Sequence, residues 1–272
     1  MDVKKFGKLL PTAAVALVLI VVLVVLVTSG SGRGKVSAET MASAVEYLRQ
    51  MEAGDPDAVV RTIRQQQKAR MMAERDELKD KLLSGEVDIW TQFQDYLMVG
   101  DSRAVGFWYY KYVPHERSLA ETSATIRTLE EQIPDIVALH PARLYIAYGV
   151  NDINIGFWPT AEDYVAEFVS ILDKLKAELP DLEIYVNSIL EVQDWALYKG
   201  DMWKYIPDWN VYLEQMCKDN GYTFVDNSQV TAEHQSEYET DGIHFKSTFY
   251  PYWGTNMVLA TLYSDAEEEF AE

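Results

Sequence analysis

Between residues 95 and 225, short apolar runs alternate with longer segments of helical spacing. The runs are DYLMVG at 95–100, RLYIAY at 143–148, EIYVN at 183–187 and a briefer one at 222–225. Each is too short for a helix, is mostly apolar or aromatic, and ends near turn-forming residues, so each reads as a buried strand. The segments between them repeat apolar residues every three or four positions. Over 125–139 the stripe is Ile126, Leu129, Ile133, Ile136 and Val137, with Pro134 as a point where the helix kinks or splits. Over 160–179 it is Tyr164, Phe168, Ile171, Leu172 and Leu175, opened by Thr160 and stopped by Pro180. A third helix is predicted over 208–220, ending at Gly221, and a fourth closes the domain over 249–263. Strands alternating with helices of this length predict βαβ crossovers and a parallel sheet covered on both faces. In such sheets the ligand site lies outside the carboxyl ends of the strands.

The first ninety residues carry a different pattern. Ala13 to Val27 is an unbroken run of aliphatic residues and alanine, extended on its N-terminal side by Leu9 and Leu10. No face of it is polar, and its length approaches the ~20 residues of one bilayer crossing. Lys4, Lys5 and Lys8 precede it, which favours a cytoplasmic N-terminus. A cleaved secretory signal is the competing reading. The run sits at or above the length of a signal core, and the cleavage-like Val36-Ser37-Ala38 stands well beyond it, so a retained anchor is favoured. Both readings place the body outside the cytoplasm. A glycine- and serine-rich spacer follows, then helical patterns over 39–52 and from Asp55-Pro56 to about Leu83. The expected organisation is a cytoplasmic tail (1–8), a transmembrane signal anchor (9–28), a spacer with a helical hairpin or stalk (29–88), and a globular domain (89–272).

Charge narrows the function. The chain has 24 basic and 43 acidic residues, and the first ten positions hold three of the former and one of the latter. A body with 21 basic against 42 acidic groups repels nucleic acid, so no nucleic-acid role is expected. Cys217 is the only cysteine, which excludes an intrachain disulfide and a zinc–thiolate cluster. Its place in a helical segment reads as core rather than nucleophile.

The chemistry gathers in three loops. Gly100-Asp101-Ser102 follows the first strand. Gly149-Val150-Asn151-Asp152 follows the second. Asp241-Gly242-Ile243-His244 stands in the last loop before the closing helix. A serine hydroxyl needs a base to take its proton, and His244 suits that role. Asp241, three residues earlier, can hold the other imidazole N–H. The oxyanion formed on attack needs fixed donors, for which the Asn151 amide and the Ser102 backbone N–H are candidates. Asp101 and Ser102 are also good helix caps, and Asp152 reads as a loop-shaping residue. His234 is a distant second candidate base; His115 and His140 read as surface or capping residues.

In these blocks the chain resembles the SGNH hydrolases, also called GDSL-like esterases and lipases. Ser102 matches the first block, Asn151 in GVND the third, and Asp241 with His244 the DxxH of the last. The likeness covers about 94–265. It implies a flavodoxin-like three-layer α/β/α fold, a serine nucleophile, and no metal or cofactor. It departs in the second block, where the family usually has a glycine whose N–H joins the oxyanion hole. Here the segment is Glu121-Thr122-Ser123-Ala124-Thr125, and Ala124 or Ser123 would supply that donor.

Aromatic residues cluster at 107–112 and at Trp195, Tyr198, Trp203, Tyr205 and Trp209, with Trp158 and Trp253 in addition. Near a hydrolase site they suit sugar rings or acyl chains, and equally they suit a core. Arg103, Trp108 and Trp158 are the substrate-binding candidates. The expectation is an extracytoplasmic esterase acting on an ester-bearing small molecule or polysaccharide. Two alternatives stay open: acyl transfer to an envelope polymer, and a catalytically weak binding or scaffold protein.

Overall fold

The computed structural model describes residues 56–271, with side chains described from 61 to 263. The chain divides into two compact units, 1–63 and 64–272. The apolar run, the spacer and the 39–52 helix expected from sequence lie outside the described residues. Among the described residues no helix is long and apolar enough to cross a membrane.

Helix α1 spans Pro56–Ser84. Its last turns belong to the second unit, where Leu82 is 1% exposed in the core. The strands are β1 (Tyr96–Gly100), β2 (Arg143–Ala147), β3 (Glu183–Asn187) and β4 (Thr223–Val225). They pair in the order β1-β2-β3-β4, all parallel. A fifth, irregular segment flanks β1 on its free side. Ser118 bridges Met98 in parallel, Leu119 N–H donates to Met98 O at 2.9 Å, and Glu121 N–H donates to Gly100 O at 3.0 Å. With that segment included, the order is the flavodoxin-like one, in which the second element lies outside the first.

Alternation along the strands builds two cores. Leu97, Val99, Leu144, Ile146, Ile184 and Val186 face one side. There they meet α3 (Ile126–Leu139), α5 (Ala161–Glu178) and α6 (Ile206–Asn220) through residues such as Leu129, Phe168, Ile171 and Leu213, while the short helices α4 (Asp152–Ile155) and α7 (Ser228–Glu233) follow β2 and β4. Tyr96, Met98, Tyr145 and Tyr185 face the other side, against Phe107 of α2 (Ser102–Tyr109) and Trp253 and Met257 of α8 (Tyr250–Ala271). Strict period-two alternation is what lets one strand serve both layers. Helix α3 runs through Pro134 unbroken, and His140 caps it in a left-handed conformation (φ 47°). Cys217 is buried in α6, and burial pushes its thiol up to about 12, which leaves it no nucleophilic character near neutral pH.

One close approach fixes where β1 ends. A Cβ on Gly100 would stand 2.5 Å from Ala147 O and 2.7 Å from the Ala104 Cβ. The glycine is needed for this contact between strand ends and not for its own backbone angles. Gly100→Ala is expected to destabilise the domain by about 2 kcal/mol or more, because backbone on one side and helix on the other leave no room to relax. Urea unfolding of the soluble domain checks this, and an unchanged midpoint would contradict it.

Candidate active site

The parallel register delivers the ends of β1 and β2 to one rim, where Ser102 and Asn151 follow them, and Asp241 and His244 come from a later loop, beyond β4 and the short helix Ser228–Glu233. Asp101 N-caps α2 by accepting the Arg103 N–H at 2.9 Å. Ser102 is therefore the first residue of the helix, where a backbone N–H has no intrahelical acceptor. That leaves the Ser102 N–H free to face an oxyanion.

His244 sits on a tight hairpin-like loop. Glu239 N–H donates to His244 O at 2.8 Å, Lys246 N–H to Glu237 O at 2.8 Å, and Gly242 makes the turn at φ 73°. The loop brings His244 Nε2 to 2.9 Å from Ser102 Oγ, across 142 residues of sequence. On the other side of the ring, His244 Nδ1 lies 2.6 Å from Asp241 Oδ2. The second Asp241 oxygen accepts the backbone N–H groups of Ile243 at 2.9 Å and His244 at 3.0 Å. Partial burial would raise the Asp241 carboxyl, but these hydrogen bonds outweigh it and hold the group at about 2. A permanent carboxylate at Nδ1 places the imidazole proton there. Nε2 then carries the lone pair that the Ser102 hydroxyl needs.

The oxyanion side is stitched between the second and third blocks. The Asn151 amide donates one hydrogen to Ala124 O at 2.9 Å, which leaves its second. The Ile126 N–H donates to Asp152 Oδ1 at 2.9 Å. Asp152 thus ties the GVND loop to the start of α3, a link that sequence identifies only as loop shaping. In the second block Ser123 adopts a left-handed backbone at φ 63°, which a residue with a Cβ takes up at a cost. The Ala124 N–H, the donor expected from the second block, directly follows the turn at 122–123.

The sequence profile of the GDSL-like Lipase/Acylhydrolase family matches residues 98–250, more than half of the chain. The chain belongs to this family. It is a serine ester hydrolase by that membership. Among solved structures it is similar to the lipase/acylhydrolase from Enterococcus faecalis, at 13% identity over 61% of this chain and 94% of that one, with a TM-score of 0.51. It is also similar to a GDSL-like lipase from Bacteroides thetaiotaomicron, at 18% identity over 64% and 87% of the two chains and a TM-score of 0.48. At these identities the likeness is one of fold. A search of curated proteins finds no match.

Within this GDSL-like frame, the substrate-binding candidates need correction. Arg103 is 3% exposed. It donates from Nη1 to Leu190 O at 2.6 Å and stands 3.8 Å from Asp101, so it is an internal strut facing away from solvent. Trp158 is buried in the core, with its Nε1 donating to Glu167 at 2.7 Å. Trp108 lies six residues along α2 from Ser102, about 9 Å up the axis. It packs edge-on against His115. His234 stacks on Tyr252 at 3.6 Å and lines a separate cavity with Arg75 and Lys79, while the base position at Ser102 is held by His244.

Two buried carboxyls stand behind the site. Burial pushes Asp101 upward, opposed by the Arg103 guanidinium and by backbone N–H groups of Arg103 and Val150. Burial likewise raises Asp152 to about 7; the Ile126 N–H opposes it and the neighbouring Asp101 adds to it. The sign for stability follows. A carboxyl raised in the fold carries no penalty below its unfolded value of 3.8, an increasing one as pH climbs towards 7, and the full one above. Asp152→Asn should therefore gain stability relative to wild type between pH 4 and 8, by on the order of 4 kcal/mol across the window. Denaturant titrations of both proteins at several pH values test this, and a pH-independent difference would remove the shift.

Proposed function

We propose that this chain is a membrane-anchored esterase whose catalytic domain lies outside the cytoplasm, and that it removes short acyl groups, acetyl foremost, from hydroxyls of cell-surface carbohydrate. The observation that carries the reading is the continuous contact Ser102–His244–Asp241, at 2.9 and 2.6 Å.

The chemistry follows from those contacts. Ser102 Oγ attacks the ester carbonyl carbon while its proton passes to His244 Nε2. The carbonyl electrons move onto oxygen, which the N–H of Ser102, the Asn151 amide and a second-block N–H receive. Asp241 stabilises the imidazolium without taking its proton. Collapse of the tetrahedral intermediate expels the alcohol oxygen, which takes the proton from Nε2 and leaves an acyl-Ser102. Water, deprotonated by His244, then repeats the sequence and releases the acid.

Openness favours a small acyl group on a large alcohol. The side chains of His244 and Asp241 are 43% and 35% exposed, so the triad lies in a shallow rim. A long acyl chain would gain from an enclosed apolar slot. The anchor and the outward orientation rest on the apolar run at 9–28 with lysines before it.

Purified soluble domain is expected to release p-nitrophenol from the acetyl ester faster than from the octanoyl ester. Ser102→Ala should lower kcat/KM by ~10⁴-fold or more, and Asp241→Asn by about 10⁴-fold. Activity that persists in Ser102→Ala would end the acyl-enzyme reading. Acyl groups appearing on an added polysaccharide instead of in water would move the reaction to transfer.

A further inference from the structure

The aromatic residues singled out after the third strand do not share one fate. Trp209 is buried in the core, and Trp203 is tied down by donating its Nε1 to Val150 O at 2.7 Å. Trp195 and Tyr198, by contrast, are 52% and 80% exposed. Large aromatic faces left in water on a well-packed domain call for a reason.

Both residues lie in the 3₁₀ helix Asp194–Lys199. With three residues per turn, positions i and i+3 share a face, so the two residues leave the turn on the same side, about 6 Å apart in rise. Ala196, between them in sequence, is fully buried and roots the turn. The helix is fastened to the loop that carries the triad's acid and base. The Gln193 N–H donates to Gly242 O at 2.9 Å, and Lys199 Nζ donates to Asp241 O at 3.0 Å. A Cβ on Gly242 would come within 2.8 Å of the Trp195 ring, which shows how closely the indole packs on that loop. The Lys199 ammonium sits 5.9 and 5.7 Å from the Trp195 and Tyr198 ring centres, and Asp194 and Asp201 add polar groups alongside.

We infer that Trp195 and Tyr198 form a sugar-binding shelf, on which ring faces of the carbohydrate stack while its ester reaches Ser102. This rests on the carbohydrate esterase reading and names the subsite that would serve it. Flat aromatic faces bordered by charged and amide groups suit the apolar faces and hydroxyl edges of sugars. A bare acyl chain would be left half in water on such a surface.

The test uses Ser102→Ala protein, which cannot turn over, and calorimetric titration with hexamers of β-1,4-linked glucose, xylose and N-acetylglucosamine. At least one hexamer should bind, and Tyr198→Ala or Trp195→Ala in that background should weaken it by about tenfold or more. Tyr109→Ala removes an exposed tyrosine of α2 and serves as the control. In otherwise wild-type protein, Tyr198→Ala should lower the ratio of kcat/KM on the O-acetylated hexamer to that on p-nitrophenyl acetate, through both KM and kcat. No binding by any of the three hexamers, or equal binding with and without the two rings, overturns the shelf. Binding that depends on the rings, with no hydrolysis of O-acetylated hexamers by wild type, keeps the shelf and overturns the esterase reading. Hydrolysis of O-acetylated hexamers that is indifferent to the rings does the reverse.

Discussion

Everything at the site depends on the parallel register of the sheet. Because β1 to β4 all point the same way, the loops that follow them leave from one edge. The hydroxyl of Ser102 and the imidazole of His244 stand 142 residues apart in sequence, yet no long excursion is needed to join them at 2.9 Å. The same register demands helices on both faces, which divides the core into two layers and commits each strand to alternate between them. Gly100 is where these demands meet. The strand must end against Ala147 and the helix must start at once, and a side chain there would push the nucleophile off its turn.

Three carboxyls near this rim show how environment sets charge. Asp241 is partly exposed and receives two backbone N–H groups and the imidazole, so it stays ionised down to about pH 2. Asp152 is buried and receives the Ile126 N–H, so burial prevails and carries it to about 7. Asp101 is buried beside Arg103 and moves in the same direction as Asp152. The difference lies in the balance of donors against desolvation. It gives the fold one carboxylate that can stabilise an imidazolium and two that brace the loops behind the nucleophile.

The strands were legible because the chain writes them as apolar runs with abrupt ends, and their observed limits fall within a residue or so of those expected. The edge segment at 118–121 was not, because it is short and pairs through only a few hydrogen bonds, too little to leave a pattern. The triad residues were found because chemistry restricts them to few residue types, with Ser102 just beyond a strand end and Asp241 and His244 three residues apart in the loop before the closing helix. Arg103 and Trp158 were misplaced for the opposite reason. An arginine after a nucleophile and a tryptophan after a site loop look functional in sequence, but burial depends on neighbours that only the fold supplies: Leu190 O for one and Glu167 for the other. The second block hid its backbone. Ser123 takes the left-handed conformation, and nothing in the letter S announces it.

An open rim poses a physical problem that bears on the substrate. Oxyanion donors and an Asp–His pair act most strongly where water is excluded. Here the base itself is 43% exposed. A small ester would leave the imidazole and the developing charge in contact with solvent. A polymer lying along the Asp194–Lys199 turn, beside the Asp241–His244 loop, would cover the exposed ring and supply the missing wall. On the proposed reading the carbohydrate therefore does more than present its acyl group. By occupying the shelf it dries the triad, so the rings should act on turnover as well as on affinity once the substrate is long enough to reach from Tyr198 to Ser102.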